Sequence, residues 1–385
     1  MFGDWCNYNN LADRCYGNNF EANCGSNNLG VDCAYNIFKT ESSGNNLSNL
    51  CCRNIFGSNS SYNTFYTNCQ NNTFQNGCMS NIFYSDCYNN NFGNNAMNNT
   101  LGSRCFNNTA GEGFQNNIFG EGCESNEFIN ACTQNVFGNN CSNNNFGSNC
   151  FENNIGINSS KNNFKDGCKK NTLGEDCFYN DFGNSCSSNI FGNICESNKL
   201  DDGCWGNTFG NESFRNNLGS TCGSNSFGNI FIDNNLGDAC TDNEFLEDCY
   251  GNILGNNCDN NKFKSYCYNN TLNNCKGSKF GEYCSYNNLS NCNALSFGND
   301  CKYNSIAYAT SAGHTFEDQY SYSVNAIYEF RRWLLSDIYG YGSGESIGSF
   351  ESLGDSDDSD GSDATIELID MSGMSDYNEI NEVTE

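Results

Sequence analysis

The sequence predicts an all-β solenoid, and three positional regularities support that prediction. A cysteine position recurs every nine residues from Cys6 to Cys267 without an insertion or a deletion. We number the repeat from this cysteine as position 0, and position +3 is then Asn in every repeat from Asn9 to Asn270. Position +5 is Phe, Leu or Ile with one exception, and position +6 is mostly Gly. A short, fixed period of this kind is typical of a solenoid, in which each repeat stacks on its neighbours.

The structural unit is longer than nine residues, because position +5 alternates with a period of 18. From Phe191 onwards this position changes strictly between Phe and Leu. Before Leu173 the Leu and Ile residues also share one 18-residue phase, so the phase switches between Leu173 and Leu200. We therefore predict a two-faced solenoid over residues 1–306, with 18 residues per coil and two nonapeptide repeats in each coil.

Each repeat is expected to contain a short strand rather than a helix, since Asn and Gly are poor helix formers. Alternation along a strand places positions +3 and +5 on the same side. Because the large apolar residue at +5 must point inward, the Asn at +3 points inward too. We expect the Gly at +6 to supply the positive φ that turns the chain. Where Gly is absent, that position often holds a polar residue such as Lys39 or Asp201.

The invariant Asn is the strongest constraint in the repeat, because a buried amide costs several kcal/mol unless it is hydrogen-bonded. Amides that stack along the axis can bond to one another. We predict that Asn126 stacks on Asn144, one 18-residue coil away, and not on Asn135. The inward positions form the predicted structural ladder, which is represented by Asn126, Asn135, Asn144, Phe137, Phe146, Cys132, Cys141 and Cys150.

One repeat exchanges volume between two positions. In "NNTAGEGF", Ala110 replaces the large residue at +5, and Phe114 replaces the cysteine four residues later. Because protein interiors are close-packed, this compensating pair predicts that both positions point into one core. The alternation of Phe with Leu is expected to keep a thin core filled in the same way.

The chain contains 28 cysteines, and we expect most of them to be free, buried thiols. Repeats without cysteine hold Ser, Ala or Phe, which suit a small buried site better than a broken bridge. Axial disulfides stay open as an alternative, because cysteine-free positions such as Ser42 and Ser60 lie 18 residues apart. A ladder of metal thiolates is a third interpretation. The prediction is that the chain requires neither a metal nor a cofactor.

Acidic residues give the chain a net charge of -28, and many of them lie near its C-terminal end. No Lys or Arg follows Arg332, and residues 340–385 are rich in Gly, Ser and Asp, which predicts a disordered tail. The Asp spacing in this tail does not match an EF-hand loop. Nucleic-acid binding is not expected for so acidic a chain, and no apolar run is long enough to enter a membrane.

Residues 307–339 are predicted to cap the last coil with one amphipathic helix in "NAIYEFRRWLLSDIYG". A contact between subunits is the alternative role of this helix. At the other end, Phe2 already occupies position +5, so the first coil should expose an unpaired strand edge. We expect a neighbouring subunit to cover that edge, or the chain to be a fragment. The predicted cap helix has an apolar face of Ile327, Phe330, Leu334 and Ile338.

No catalytic constellation is evident, because His314 is the only histidine and lies outside the repeats. The first residues, "MFGDWCNYNN", have neither the basic start nor the apolar run of a signal peptide, so synthesis in the cytoplasm without a signal is expected. The nonapeptide period partly resembles the calcium-binding RTX repeats. Asn135 and Asn144 stand where those repeats have Asp, so calcium-driven folding is not expected.

The Asn, Phe, Gly and Cys repeat over residues 2–306 resembles the repeats of gut bacteriophage tail or fibre proteins and of bacterial surface repeat proteins. The resemblance implies a non-enzymatic structural or adhesive protein, with a virion tail or fibre component as the leading hypothesis. It also implies a location in the virion or at an extracellular surface, and a protein or glycan ligand. A secreted or cell-surface bacterial adhesin is the alternative, as is a cytoplasmic acidic scaffold that binds a protein partner.

Overall fold

The computed structural model of the chain shows a parallel β-solenoid over residues 1–307, which confirms the predicted all-β fold. The structure describes these residues and the short segments 315–316, 321–322, 349–350 and 368–369. The predicted helix lies outside the described residues, as do most of the predicted cap and most of the predicted tail. No helix in the described part of the chain has the length and apolar character needed to cross a membrane.

The strands form two parallel sheets, because consecutive repeats alternate between them. We number the strands β1 to β38 in chain order. Sheet one contains β1 Asn10–Leu11, β3 Asn28–Leu29, β5 Asn46–Leu47, β7 Thr64–Phe65, β9 Ile82–Phe83, β11 Thr100–Leu101, β13 Ile118–Phe119, β15 Val136–Phe137, β17 Asn154–Ile155, β19 Thr172–Leu173, β21 Ile190–Phe191, β23 Thr208–Phe209, β25 Ser226–Phe227, β27 Glu244–Phe245, β29 Lys262–Phe263, β31 Lys279–Phe280, β33 Ser296–Phe297 and β35 Thr315–Phe316.

Sheet two contains β2 Asn19–Phe20, β4 Ile37–Phe38, β6 Ile55–Phe56, β8 Thr73–Phe74, β10 Asn91–Phe92, β12 Thr109–Ala110, β14 Glu127–Phe128, β16 Asn145–Phe146, β18 Asn163–Phe164, β20 Asp181–Phe182, β22 Lys199–Leu200, β24 Asn217–Leu218, β26 Asn235–Leu236, β28 Ile253–Asn256, β30 Thr271–Asn273, β32 Asn288–Ser290, β34 Lys302–Ala307 and β36 Ser321–Tyr322. A separate antiparallel pair consists of β37 Ser349–Phe350 and β38 Leu368–Ile369.

Each strand pairs with the strand 18 residues further along, which confirms the predicted coil length. Asn145 in β16, for example, lies opposite Asn163 in β18. The coil shortens to 17 residues near the end, where Thr271 lies opposite Asn288. This shortening matches the reduced cysteine spacing at Cys275, since one residue is missing from the corner after β30. The sheets therefore stay in register although the coil length changes.

The chain turns at two positions per repeat, immediately before the inward Asn and immediately before the inward Cys. Residues at both positions have a positive φ, as at Ser125 with φ 55° and Ala131 with φ 58°. The left-handed conformation costs a non-Gly residue about 1–2 kcal/mol, and Asn tolerates it best. Four such corners close each coil, and they bring Cys, Asn and the large apolar residue to the inside.

The prediction that Gly at +6 supplies the positive φ is wrong. Gly138 and Gly147 occupy this position, and neither belongs to the glycines with a positive φ. A Cβ added to Gly138 would lie 2.8 Å from the backbone N of Glu121 in the preceding coil. Glycine at this position therefore permits close stacking of the coils, and the corner itself is made elsewhere.

The core is a double column of apolar side chains, one column from each sheet. Within a column the rings stack, and the centroids of Phe146 and Phe164 are 4.4 Å apart with an interplanar angle of 1°. Where both sheets contribute Phe, the rings meet edge to face, as Phe137 meets Phe146 at 5.3 Å and 82°. Beyond the phase switch, Leu200 and its successors occupy sheet two instead, so a large residue continues to face a smaller one.

Replacing Ile194 by Asn should stabilise the solenoid. Ile194 has φ 57° at the corner before Cys195, where a β-branched residue is strained and Asn is tolerated. We expect a gain of about 1 kcal/mol in the free energy of unfolding, measured by chemical denaturation. The matched control is Ile190→Asn on strand β21, which should give no gain. An equal gain from both variants would contradict the assignment of strain to the corner.

Candidate functional site

The inward asparagines form two continuous ladders, one beside each sheet. The Asn126 side chain donates from Nδ2 to Oδ1 of Asn144 at 3.0 Å and to the carbonyl oxygen of Cys105 at 3.2 Å. The backbone N–H of Asn126 also donates to Oδ1 of Asn144, at 3.1 Å. Asn135 bonds in the same way to Asn153, at 3.0 Å, in the other ladder. The predicted stacking of Asn126 on Asn144 is therefore confirmed.

Each ladder amide inside the regular repeats is fully used, which explains why Asn alone occupies position +3 from Asn9 to Asn270. Its oxygen accepts two hydrogen bonds and its nitrogen donates two, as Asn144 shows with Asn126, Asn162 and Cys123. Asp would lack the donors and add a buried charge, and Gln would have an additional methylene group. The burial of Asn144 at 1% exposure makes every one of these bonds costly to lose.

The cysteines form columns beside the asparagine ladders. All 28 are free thiols, and all but Cys6, Cys15 and Cys52 are buried. The backbone N–H of Cys132 donates to Sγ of Cys150 at 3.4 Å, so the sulfur serves as an acceptor for the preceding coil. At the equivalent contact, the N–H of Cys141 donates to Oγ of Ser159 at 3.1 Å. Serine can therefore replace cysteine because it supplies the same acceptor.

Burial keeps the thiols of Cys78, Cys177 and Cys195 protonated at neutral pH. It raises the pKa of Cys78 from 9.0 to about 11 and that of Cys177 to about 11. Burial likewise raises the pKa of Cys195 to about 12. Because the thiolate is the reactive form of cysteine, these three thiols serve packing and do not act as nucleophiles.

Ala110 and Phe114 lie in one core. Ala110 in β12 pairs with Phe92 on one side and Phe128 on the other. The ring of Phe114 lies 5.6 Å from that of Phe92 and 6.0 Å from that of Phe128, measured between centroids. Phe114 therefore fills the space that the missing ring at Ala110 leaves between its two neighbours.

Other predicted site residues lie outside the described residues. They form the apolar face of the cap helix, Ile327, Phe330, Leu334 and Ile338, and His314, which was not predicted to be a site residue, also lies outside the described residues. Among the described residues, no three His, Cys, Asp or Glu side chains gather closely enough to hold a metal ion.

Another kind of polar ladder lies on the outside of the corners, at position +7. The sequence analysis did not predict it. Oδ1 of Asn130 accepts the backbone N–H of Ser148 at 2.9 Å, and Oδ1 of Asp166 accepts that of Asn184 at 2.8 Å. The available signal was an excess of Asn and Asp at +7. Ser, Thr and Glu at the same position in other repeats diluted it.

Six tyrosines form an exposed patch near the end of the described solenoid, and we call it the tyrosine patch. They surround one cysteine column and make three stacked pairs, with centroid distances of 4.8, 5.0 and 5.2 Å. In each pair, one face of each ring is covered by its neighbour along the axis. The pairs are Tyr250 with Tyr268, Tyr266 with Tyr283, and Tyr286 with Tyr303.

Acidic side chains border the tyrosine patch. The charge of Asp300 raises the pKa of the Tyr283 phenol, which stays a hydrogen-bond donor at neutral pH. Tyr286 and Tyr303 are 58% and 52% exposed. Exposed aromatic groups that also carry a polar atom are enriched in binding surfaces. This patch is therefore the candidate site for a ligand on the outside of the solenoid.

No protein-family model and no curated protein matches the chain. The solved structures that it resembles include a tailspike protein double mutant of E. coli bacteriophage HK620 in complex with a pentasaccharide, at 11% identity and a TM-score of 0.25. That match covers 76% of this chain and 68% of the other. The A-module of a mannuronan C-5 epimerase from Azotobacter vinelandii matches at 8% identity and a TM-score of 0.16, over 82% and 88% of the two chains. TM-scores this low do not assign the chain to either class of protein.

Replacing Asn144 by Ala should destabilise the solenoid more than replacing Phe146 by Leu. The first change leaves the backbone N–H of Asn126, one N–H of its Nδ2 group and the carbonyl of Cys123 unpaired, at about 1–3 kcal/mol for each buried group. The second leaves a smaller apolar residue where Leu already occurs in other coils, at about 1 kcal/mol. Thermal unfolding of both variants measures the difference. Equal midpoints would mean that the ladder is not the dominant constraint.

The solenoid should lose stability at alkaline pH. The folded-state pKa of Cys78 lies above its ordinary value, so the stabilisation is complete below pH 9 and is lost as the pH rises through about 11. Denaturation followed across this interval should show the decline. Cys78→Ala, for which Ala96 is the natural precedent one coil further on, should make the decline less steep. An unchanged slope in this variant would show that other groups control the alkaline transition.

Proposed function

We propose that the chain is a non-enzymatic structural and adhesive rod of the bacteriophage tail or fibre type. The observation that carries this proposal is the continuity of the solenoid. The core columns continue from coil to coil through residues 1–307. One asparagine ladder continues to Asn304, and the other ends at Asn261, after which Ser278 and Leu295 occupy its position. A solenoid whose cross-section repeats from coil to coil suits a spacer or shaft better than it suits a function that needs a deep, enclosed site.

Rigidity supports the same role. Sheet one alone spans β1 to β33 within residues 1–307, which corresponds to about 80 Å at the usual strand spacing. Neighbouring coils are joined by both sheets, by both ladders and by stacked rings, so bending would break several interactions at once. A shaft that holds a binding surface away from its base requires this resistance to bending.

The tyrosine patch supports the adhesive part of the proposal. It lies near one end of the described solenoid, and it combines aromatic edges, phenol hydroxyls and acidic neighbours. A protein or glycan on a cell surface could meet these groups with complementary donors and apolar contacts. The proposed location is accordingly the virion or an extracellular surface. A bacterial surface adhesin would use the same patch.

The charged outer surface supports a role other than catalysis. A shallow depression on sheet two is lined by Lys165, Asp166, Asp181, Lys199 and Asp201. Lys199 is engaged with Asp201 at 2.7 Å, and Oδ1 of Asp166 accepts the backbone N–H of Asn184. Both contacts serve the surface structure of the solenoid.

Binding of the full chain to arrays of bacterial surface glycans and to intact bacterial cells tests this function. We expect binding that falls about tenfold or more when Tyr286 and Tyr303 are both replaced by Ala, because aromatic residues dominate binding energy at interfaces. Tyr62→Ala is the matched control, since Tyr62 is equally exposed but lies far from the patch. Equal losses in both variants, or release of shortened glycans, would overturn the proposal of a non-enzymatic adhesive surface.

A further inference from the structure

The outer face of sheet one carries a long uncharged row of side chains, which we call the ridge. The ridge consists of the first, outward-facing residue of each odd-numbered strand from β7 to β25. Every one of these residues is Thr, Ile, Val, Asn or Ser. Ile118 is 51% exposed, Ile190 is 49% exposed and Val136 is 44% exposed. Apolar groups are therefore presented to solvent along a row of residues without charge, in a chain whose net charge is -28.

The same position on sheet two has a different character. It holds Glu127 in β14, Asp181 in β20 and Lys199 in β22, so charged side chains interrupt that face. The repeat therefore tolerates charge at this position. The absence of charge from the ridge is a property of one face only, and the folding of the repeat does not require it.

A row of glycines at position +6, which we call the groove, lies directly beside the ridge. The residue that follows each odd-numbered strand from β11 to β25 is Gly, beginning at Gly102 and ending at Gly228. On sheet two the equivalent position also holds Ile129, Lys165 and Asp201. The contact of Lys199 with Asp201 at 2.7 Å shows that side chains at the two positions project beside each other. Glycine thus leaves bare backbone next to the ridge.

We propose that this face of sheet one binds a second copy of the same chain, with the two solenoids side by side and parallel. A two-fold axis along the solenoid, midway between ridge and groove, places the ridge of each copy in the groove of the other. A two-fold axis perpendicular to the solenoid would place ridge against ridge. Self-complementarity of shape therefore selects the parallel arrangement.

Charge and area agree with a second copy as the occupant. Two chains of the same high negative charge repel each other, and an uncharged face is where that repulsion is weakest. Ridge and groove coincide from β11 to β25, a length of about 34 Å, and with a width of about 15 Å this face would bury about 500 Å² per copy. The total of about 1,000 Å² reaches the lower limit for a specific interface. The inference does not depend on the proposed adhesive role.

Sedimentation equilibrium of the full chain tests the pairing. The native chain should form a dimer, and the double variant Ile118→Lys with Ile190→Lys should weaken it at least about a hundredfold, because like charges would face each other. Lys already occurs at this strand position in sheet one, at Lys262 and Lys279, so the double variant should fold. Thermal unfolding of each variant verifies this.

The matched control carries the same change on sheet two. Asn91→Lys with Asn163→Lys introduces two lysines at the same repeat position and the same separation of four coils. This control should remain dimeric. A native chain that stays monomeric at high concentration, a dimer that survives in the ridge variant, or equal losses in both variants would overturn the proposal.

A photo-crosslinking residue at position 118 tests the orientation. In the parallel dimer it faces the groove of the same coil in the partner, so the crosslinked peptide should contain residues near Gly120. An antiparallel pair centred on the ridge would give crosslinks near Thr172 in β19, and this result would overturn the parallel arrangement.

Discussion

Buried amides that must bond along the axis are the constraint on which the rest of the solenoid depends. Each inward Asn, such as Asn144, uses its oxygen twice and its nitrogen twice, and its partners belong to neighbouring coils. A single-residue slip of a strand would carry the whole inward set to the outer face. The register of both sheets, the repeat length and the identity of position +3 are consequently fixed together. The core rings then stack because the ladder has already set the distance between coils.

The remaining positions are free to vary as far as the ladder allows. Where the coil shortens to 17 residues, Asn270 still donates to Asn287 at 3.1 Å, and the missing residue comes from a corner. The cysteine position accepts Ser159 because the Ser159 hydroxyl accepts the backbone N–H of Cys141 in the preceding coil, as a cysteine sulfur does elsewhere. Side chains on the outside make no contacts in the core, so their identity can vary. The surface can therefore carry features such as the tyrosine patch and the uncharged ridge. A rigid interior with a variable exterior fits the proposed role of a shaft that carries a binding surface.

The repeat itself was predictable from the sequence, because the interactions that fix it leave one residue type at one period. Asn126 and Asn144 could be paired in advance, since the alternation of Phe with Leu revealed the 18-residue coil. The corners could not be located, because the left-handed residues, such as Ser125, Ala131 and Gln134, share a backbone conformation and no side-chain signature. Closure of the coil imposes that conformation. The glycine at +6 led to the wrong prediction that the positive φ lies there. The candidate surfaces were not predicted for a related reason. Tyr266 and Tyr283 become neighbours only when successive coils stack on each other.

Hydrogen exchange of asparagine side-chain amides tests the central claim most directly. Selective ¹⁵N labelling of asparagine lets NMR follow the exchange of each Nδ2 group in the folded chain. The ladder amides should form a strongly protected population, because Nδ2 of residues such as Asn144 and Asn162 donates only to buried acceptors. Asparagines on the outer face, such as Asn91 and Asn163, should exchange at the rate of exposed amides. A single population in which all asparagine amides exchange rapidly would contradict a ladder that holds the coils together.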